Sequence, residues 1–334
     1  MMNKIAICGA GWSGLLLAKK LQDTHEVTVF EQRKTLDATC AWGTPTETLK
    51  ELCNEHHLNI ADYLLWQSRK LYSKHFKKSA VMNMNGLCTF NKKLFMLNIA
   101  SKLKNPIKYG TILKENEYQD YNLIVDATGT RAYLGTLPTD KMYVCYQELV
   151  KFDSLPYSDF YMNFKQSETT KYLWMFPLSD NVAFVGCGSL KGKDAYNEVT
   201  DFVETYNGTT YKRYAKRLRV NPPEESSPFI VTKKSIKIVG VGNNIGAISS
   251  FGEGIDPSTA TVNMLVDRIQ NNNLNIYEQQ VMHNLNWLKR DYQLYSQLKN
   301  GKVVSAMLNM MLNGQFYRHR FKVPLTAINS FKVK

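Results

Sequence analysis

Apolar residues open the chain in short unbroken runs. Ile5-Ala6-Ile7-Cys8 reads as a buried strand over residues 4–8. Leu15-Leu16-Leu17-Ala18 falls within a helix over 12–22, and Val27, Val29 and Phe30 mark a second strand over 26–31. Residues 46–58 carry a helical pattern with Thr46 as its N-cap. Residues 69–90 alternate and read as strands turning at Asn85-Gly86, and 92–103 as an amphipathic helix. Residues 121–127 form another apolar strand, ended by Thr128-Gly129. From about 139 to 188 the chain is aromatic and β-like. Helices are predicted over 194–206 and 209–219, a strand over 235–241, a helix over 257–269 and a helical run over 276–313.

Strand, glycine turn, helix, strand is the signature of a Rossmann-type unit, and its parts are spread along the chain. The predicted class is therefore α/β, with an antiparallel β-sheet domain inserted into a discontinuous nucleotide-binding domain and helices at the C-terminus. The nucleotide domain is assigned to 1–61, 91–131 and 231–275, the inserted substrate sheet to 62–90 and 132–230, and the helical segment to 276–334.

The candidate chemistry starts at the first turn, Gly9-Ala10-Gly11-Trp12-Ser13-Gly14. Gly9 permits a tight turn, Gly11 lets the backbone approach a pyrophosphate, and Gly14 lets helix and strand pack closely. The pyrophosphate would rest on the helix N-terminus, where unpaired N–H groups and the dipole favour an anion. Glu31, followed by Gln32 and Arg33, closes the second strand at the distance where a carboxylate accepts from an adenosine ribose. The turn alone does not choose between FAD and NAD.

Two later segments point to FAD. Ala127-Thr128-Gly129 ends a strand as in flavoproteins, and residues 239–255 read VGVGNNIGAISSFGEGI. The latter resembles the region that holds the flavin in flavoprotein hydroxylases and reductases. Further along come Tyr172-Leu173-Trp174-Met175-Phe176-Pro177 and then Gly186-Cys187-Gly188; Cys40-Ala41-Trp42-Gly43 and Tyr146-Gln147-Glu148 precede them. In that order these segments resemble the geranylgeranyl reductase family of FAD-dependent oxidoreductases, which shares its fold with the aromatic hydroxylases. The chain departs from the family pattern at Gly242-Asn243-Asn244-Ile245, where an Asp is usual, and lacks the usual proline before Gly252-Glu253-Gly254.

The resemblance implies FAD held by Gly9, Gly11, Trp12, Ser13, Gly14, Glu31, Gln32, Arg33, Ala127, Thr128, Gly129, Gly242, Asn243, Gly252, Glu253, Gly254 and Ile255. It places Cys40 and Trp42 at the reacting face, with Cys40 either a proton donor or an ordinary buried thiol. Tyr172, Trp174, Phe176 and Pro177 would hold the substrate, or serve as sheet core. The implied reaction is reduction of an isoprenoid C=C bond, in a lipid or quinone side chain, with electrons from NAD(P)H or a ferredoxin-like donor. A flavin monooxygenase using NAD(P)H and oxygen, and a non-catalytic flavin or lipid binder, are the alternatives.

Charge changes the picture modestly. Forty-two basic against 29 acidic residues give +13, which favours anionic partners. A basic helix over 209–219, with Tyr211, Tyr214, Ala215 and Leu218 on one face, is a candidate for a substrate phosphate or peripheral membrane contact; its plainer reading is a solvated face. A methionine-rich stretch from Val303 to Leu312 is either tunnel wall or core. The basic residues form no nucleic-acid reading motif, and neither the six cysteines nor the six histidines have metal-ligand spacing. The N-terminal apolar run ends in Lys19 and Lys20, unlike a secretory signal, so a reducing cytoplasmic setting is expected.

Overall fold

A computed structural model describes residues 3–75, 78–164, 170–300 and 302. In chain order it begins with β1 (Lys4–Cys8), α1 (Trp12–Leu21) and β2 (Glu26–Glu31). Then come β3 (Gly43–Pro45), α2 (Thr46–Glu55), β4 (Leu64–Gln67), β5 (Lys70–His75), β6 (Lys78–Asn83) and β7 (Leu87–Phe90). α3 (Lys92–Ser101), β8 (Lys108–Tyr109) and β9 (Leu123–Asp126) follow. The middle of the chain gives β10 (Met142–Lys151), β11 (Phe160–Phe164), β12 (Thr170–Pro177), β13 (Val182–Ser189), α4 (Gly192–Thr205) and β14 (Thr209–Arg219). The last described elements are β15 (Ile230–Lys233), β16 (Ile236–Gly240), α5 (Ile255–Gln270), α6 (Tyr277–Asn284) and α7 (Trp287–Lys299).

The chain divides into two compact units. Among the described residues, the first comprises 3–38, 92–141 and 219–293; the second comprises those within 39–91, 142–218 and 294–302. Residues 39–61 thus group with the inserted sheet rather than with the nucleotide unit, where the sequence had placed them. Residues 132–141, 219–230 and 276–293 group with the nucleotide unit instead.

The first unit is built on a six-stranded sheet in the order β15-β16-β9-β1-β2-β8. β1 runs parallel to β2 and β9, and β9 parallel to β16; only β15 pairs antiparallel. A parallel sheet is covered on both faces, so its strands are apolar throughout rather than alternating. Ile5, Ala6, Ile7 and Cys8 are all buried, as are Ile124, Val125, Ile238 and Val239. α1 packs against α3 and α5.

The second unit holds a seven-stranded sheet, β14-β10-β13-β12-β11-β5-β6, and a three-stranded sheet, β3-β7-β4. Alternation along the larger sheet gives it two distinct faces. One carries Tyr146, Val150, Tyr161, Leu173, Met175, Val185 and Cys187, packed under Ala195, Val199 and Phe202 of α4. On the other face, Gly186 has to be glycine: a Cβ there would lie 2.3 Å from the Trp174 ring and 2.7 Å from Gln147 Cβ.

The structure corrects two predictions: Thr46 is the first residue of α2 and not its N-cap, which is Pro45 with no side-chain hydrogen bond, and a predicted helix is a strand. Residues 209–219 form the edge strand β14, not a helix. An interfacial amphipathic helix at that point is therefore excluded, and Lys212, Arg213, Lys216 and Arg217 lie instead along an exposed sheet edge. Charged residues on an exposed edge discourage pairing with another chain. The methionine-rich stretch from Val303 to Leu312, and the end of the predicted helical run, lie outside the described residues. No helix among the described residues is long and apolar enough to cross a membrane.

Candidate functional site

In the first unit the glycine turn is set by contacts that leave no freedom. Gly9 has φ +109°, and a Cβ on it would meet the Ala127 carbonyl oxygen at 2.6 Å. The Gly9 N–H donates to Phe30 O at 2.7 Å, which ties the turn to the end of β2. A Cβ on Gly14 would lie 1.9 Å from Gly9 O. Gly11 is different: nothing stands within 4 Å of where its Cβ would be. It caps α1 without a side-chain hydrogen bond, and no acidic residue lies in the first turn of that helix. The result is a positive helix end with an open approach, which suits an anion.

Glu31 closes this cradle. Its Oε2 accepts from the Ala10 N–H and its Oε1 from the Arg33 N–H, each at 2.9 Å. A carboxylate has about four acceptor positions, so two remain for ligand hydroxyls. Gln32 and Arg33 beyond it are exposed.

The later glycine loop meets the first at Gly242. A Cβ there would sit 2.3 Å from Ser13 Oγ and 3.3 Å from Ser258 Oγ, and the Gly242 N–H donates to Thr261 Oγ1 at 3.1 Å. Trp12 Nε1–H donates to Thr259 Oγ1 at 3.0 Å. The starts of α1 and α5 are thereby held side by side, and α5 too is capped by a glycine, Gly254, without side-chain help. Asn243 lies between two other predicted segments: its Cβ is 4.0 Å from the Cβ position of Gly129, and its Oδ1 is 3.2 Å from that of Gly254. Gly252 has φ +81°, and Glu253 Oε1 accepts from the Asp256 N–H at the start of α5, one residue beyond Ile255. Every predicted cofactor residue thus lies in this unit, and four separate segments converge.

Three residues that the sequence reading passed over hold the convergence together. Asp126, at the end of β9, accepts from Thr128, Tyr133 and Leu134 N–H groups and from Asn244 Nδ2. Arg131, fully buried, donates to the carbonyls of Gly135, Asn244, Ser226 and Pro228. Burial, and next the nearby Arg219 guanidinium, pull the Arg131 pKa down. Asn244 rather than Asn243 thus does the structural bonding, and Asn243 keeps its amide oxygen toward Gly254.

In the second unit, the predicted reacting and substrate residues cluster by themselves. Trp42 adopts φ +60° and meets Phe184 edge-on, with ring centroids 4.9 Å apart. A Cβ on Gly43 would be 3.3 Å from the Phe176 ring. Phe176 is 4.7 Å from Phe160 and 6.4 Å from Trp174, which is 5.6 Å from Tyr172. The Pro177 carbonyl accepts from Thr89 Oγ1 at 2.6 Å. The result is an aromatic sheet face met by Trp42 and Gly43.

Cys40 is half-buried, as is Cys145, whereas Cys8, Cys53, Cys88 and Cys187 are buried; among the described residues no cysteine is in a disulfide. Burial pushes the Cys88 thiol up to about 12 and raises Cys8 and Cys53. Thiolate is the reactive form. A neutral thiol reagent is therefore expected to label Cys40 and Cys145 in the native protein and the other four only after unfolding, as peptide mass mapping would show. Fast labelling of Cys88 would contradict this burial pattern. Among the described residues no cluster of His, Cys, Asp or Glu could hold a metal ion.

Comparison with known proteins agrees with this architecture. No family model and no curated protein matches the sequence. Solved structures do match the fold. A geranylgeranyl bacteriochlorophyll reductase-like protein from Thermoplasma acidophilum aligns at TM-score 0.69 and 14% identity, covering 98% of this chain and 96% of its own. A flavoprotein/dehydrogenase from Cytophaga hutchinsonii aligns at 0.62 and 12%, covering 98% of both chains. A probable FAD-dependent monooxygenase from Pseudomonas aeruginosa aligns at 0.60 and 12%, covering 89% of this chain and 96% of its own. The chain has the Rossmann-type fold of FAD-binding flavoproteins. Within that class it is similar, over nearly its whole length, to the reductase-like protein.

Proposed function

We propose that the chain is an FAD-dependent oxidoreductase that reduces C=C bonds of an isoprenoid, in a lipid or a quinone side chain. The observation that carries the flavin assignment is the open, uncapped helix end at Gly11 beside Glu31. The residues present fit an adenosine diphosphate group: Gly11, Trp12 and Ser13 offer backbone N–H groups to phosphate, and Glu31 offers acceptors to ribose. Gly242, Asn243 and Gly254 supply a second backbone cradle at the start of α5. FAD, when bound, supplies hydride to one carbon of the double bond. The aromatic face of Trp42, Phe176, Trp174 and Phe160 would hold an apolar chain and exclude water, and Cys40 is the candidate to hold a proton for the other carbon. The electron source would be NAD(P)H or a ferredoxin-like donor.

A monooxygenase reading on the same fold draws support from the similarity to the Pseudomonas protein, and the same residues would bind the cofactor in either case. The purified protein is expected to be yellow and to release FAD, not FMN, on denaturation. Glu31→Gln should weaken FAD retention by about 1–3 kcal/mol, because one charged acceptor becomes a donor. A colourless protein that takes up no added FAD would sink the flavin reading. Anaerobic reoxidation of the reduced protein by a prenyl substrate, with a product two mass units heavier per bond, would support the reductase. Substrate-dependent oxygen uptake with hydroxylated product would support the monooxygenase instead.

A further inference from the structure

The aromatic sheet face carries two buried hydrogen-bond donors with nothing to donate to. Gln147 is 2% exposed and Trp174 is 8% exposed. Gln147 Nε2 and Trp174 Nε1 are both out of contact with solvent, and neither has a hydrogen-bond partner. They are not strays in separate corners. Gln147 on β10 and Trp174 on β12 both pair with Gly186 of β13, one from each side, so the three share one row across the sheet. The missing side chain of Gly186 is what brings them together. Its Cβ position lies 2.5 Å from Trp174 Cε2, the ring carbon bonded to Nε1, and 2.7 Å from Gln147 Cβ. Buried donors are nearly always satisfied, and leaving two idle in one row is costly unless something visits them.

The surroundings select the visitor. In the next row on this face stand Leu149, Phe184 and Phe176, with Phe160 against Phe176 and Leu71 beside Phe160. In the row on the other side stand Cys145 and Gly188. None of these is charged. The charged side chain nearby in sequence, Glu148, belongs to the opposite face, where it accepts from Tyr146 Oη at 2.5 Å and from Arg213 Nε at 3.2 Å. A cation on this side, Lys212, stands at the edge strand, 4.9 Å over the Tyr214 ring that meets Phe184 edge-on. A carboxylate or phosphate placed between Gln147 and Trp174 would therefore be desolvated with no charged side chain among Gly186, Leu149, Phe184 and Phe176 around it. A hydroxyl would bring a donor of its own. A carbonyl oxygen brings two lone pairs and no proton, which matches two donors.

We propose that Gln147 and Trp174 form a paired donor site for an uncharged carbonyl oxygen, a ketone or quinone, on an otherwise apolar substrate. The proposal rests on the aromatic face being the substrate face of the flavoprotein reading. It narrows that reading from isoprenoids in general to those bearing a neutral carbonyl, and it gives Gly186 a role in specificity as well as packing.

The test is binding to the full-length protein as purified, followed by tryptophan fluorescence and by the indole N–H resonances. The probes are geranylacetone, the hydrocarbon of the same skeleton without its oxygen, and geranyl phosphate. Geranylacetone is expected to bind at least about tenfold more tightly than the hydrocarbon, from two hydrogen bonds gained in a dry site. It should also bind more tightly than geranyl phosphate, and shift one indole N–H downfield. Trp174→Phe identifies that resonance and should shrink the ketone preference severalfold. Gln147→Leu, of similar volume and without donors, should do the same and serves if the Trp174 variant does not fold. Equal binding of ketone and hydrocarbon, tighter binding of the phosphate, or an unchanged preference in both variants would overturn the proposal. The readout does not need flavin chemistry. Loss of the ketone preference in a yellow protein rejects the donor pair alone, and a colourless protein that still prefers the ketone rejects only the flavin assignment.

Discussion

Gly11→Ala is expected to give a stable protein that no longer retains FAD, whereas Gly14→Ala is expected to lose stability first. The two glycines are three residues apart in one motif, and their surroundings are opposite. Gly11 has φ −72° and ψ −172°, a conformation alanine adopts freely, and its Cβ would enter open space. The cost to the fold is that of an alanine cap, about 1 kcal/mol or less. The new methyl would stand where a pyrophosphate needs to meet the backbone. Losing one or two charge-assisted hydrogen bonds there amounts to about 2–3 kcal/mol, roughly a thirtyfold to 150-fold drop in affinity. At Gly14 the Cβ would lie 1.9 Å from Gly9 O, inside a backbone contact that cannot swing away. Forcing helix and turn apart should cost about 3 kcal/mol or more. Thermal unfolding by circular dichroism, with flavin content after gel filtration, separates the two effects. If the Gly11 variant stays yellow, the open helix end is not the phosphate site. If the Gly14 variant melts like the parent, the close approach is misplaced.

The contrast shows what was legible in the sequence. Strand, glycine turn, helix and closing Glu31 could be read because each uses a local rule: apolar runs for buried parallel strands, glycine for positive φ or close approach, a carboxylate at a strand end. The aromatic face around Trp174 and Phe176 was likewise visible as a motif, but not what it bonds to. Residues 209–219 misled for a definite reason. As a helix, the segment puts Tyr211, Tyr214, Ala215 and Leu218 on one face; in the strand Tyr214 and Leu218, four apart, are partly buried, while Tyr211 and Ala215 are exposed. Four is one turn of a helix and also two periods of a strand, so the pattern fits both. An edge strand exposed over most of its length gives no further alternation to decide. Arg131 and Asn244 escaped notice because their partners are more than 90 residues away or are backbone carbonyls, and Asp126 because it bonds backbone N–H groups of the following turn and the distant Asn244, none of which composition or spacing reveals. Gln147 escaped for a related reason: its neighbour Trp174 is brought to it only by the register of three strands.

Asp140→Asn is expected to destabilise the nucleotide unit by about 3–5 kcal/mol, because it strands a buried cation. Arg219 is fully buried, and its Nε meets Asp140 Oδ1 at 2.5 Å. Its other nitrogens donate to Ser226 Oγ at 2.8 Å and to the carbonyls of Asn243 at 3.4 Å and Glu225 at 3.5 Å. Arg131 lies close enough for its pKa to be pulled down by the Arg219 charge and held up by Asp140. Removing the carboxylate's charge leaves two neighbouring buried guanidinium groups with less compensation than before. The effect should reach the ligand as well, since Arg219 holds the backbone of Asn243 in the second glycine loop. The pair Arg219→Met with Asp140→Leu removes both charges and should be less damaging than Asp140→Asn alone, because no charge remains buried without its partner. Denaturant unfolding of the parent, Asp140→Leu, Arg219→Met and the double variant measures the coupling, and flavin retention measures the loop. An Asp140→Asn protein within 1 kcal/mol of the parent would mean that water reaches Arg219, and that the loop is held by its glycine contacts instead of by the ion pair.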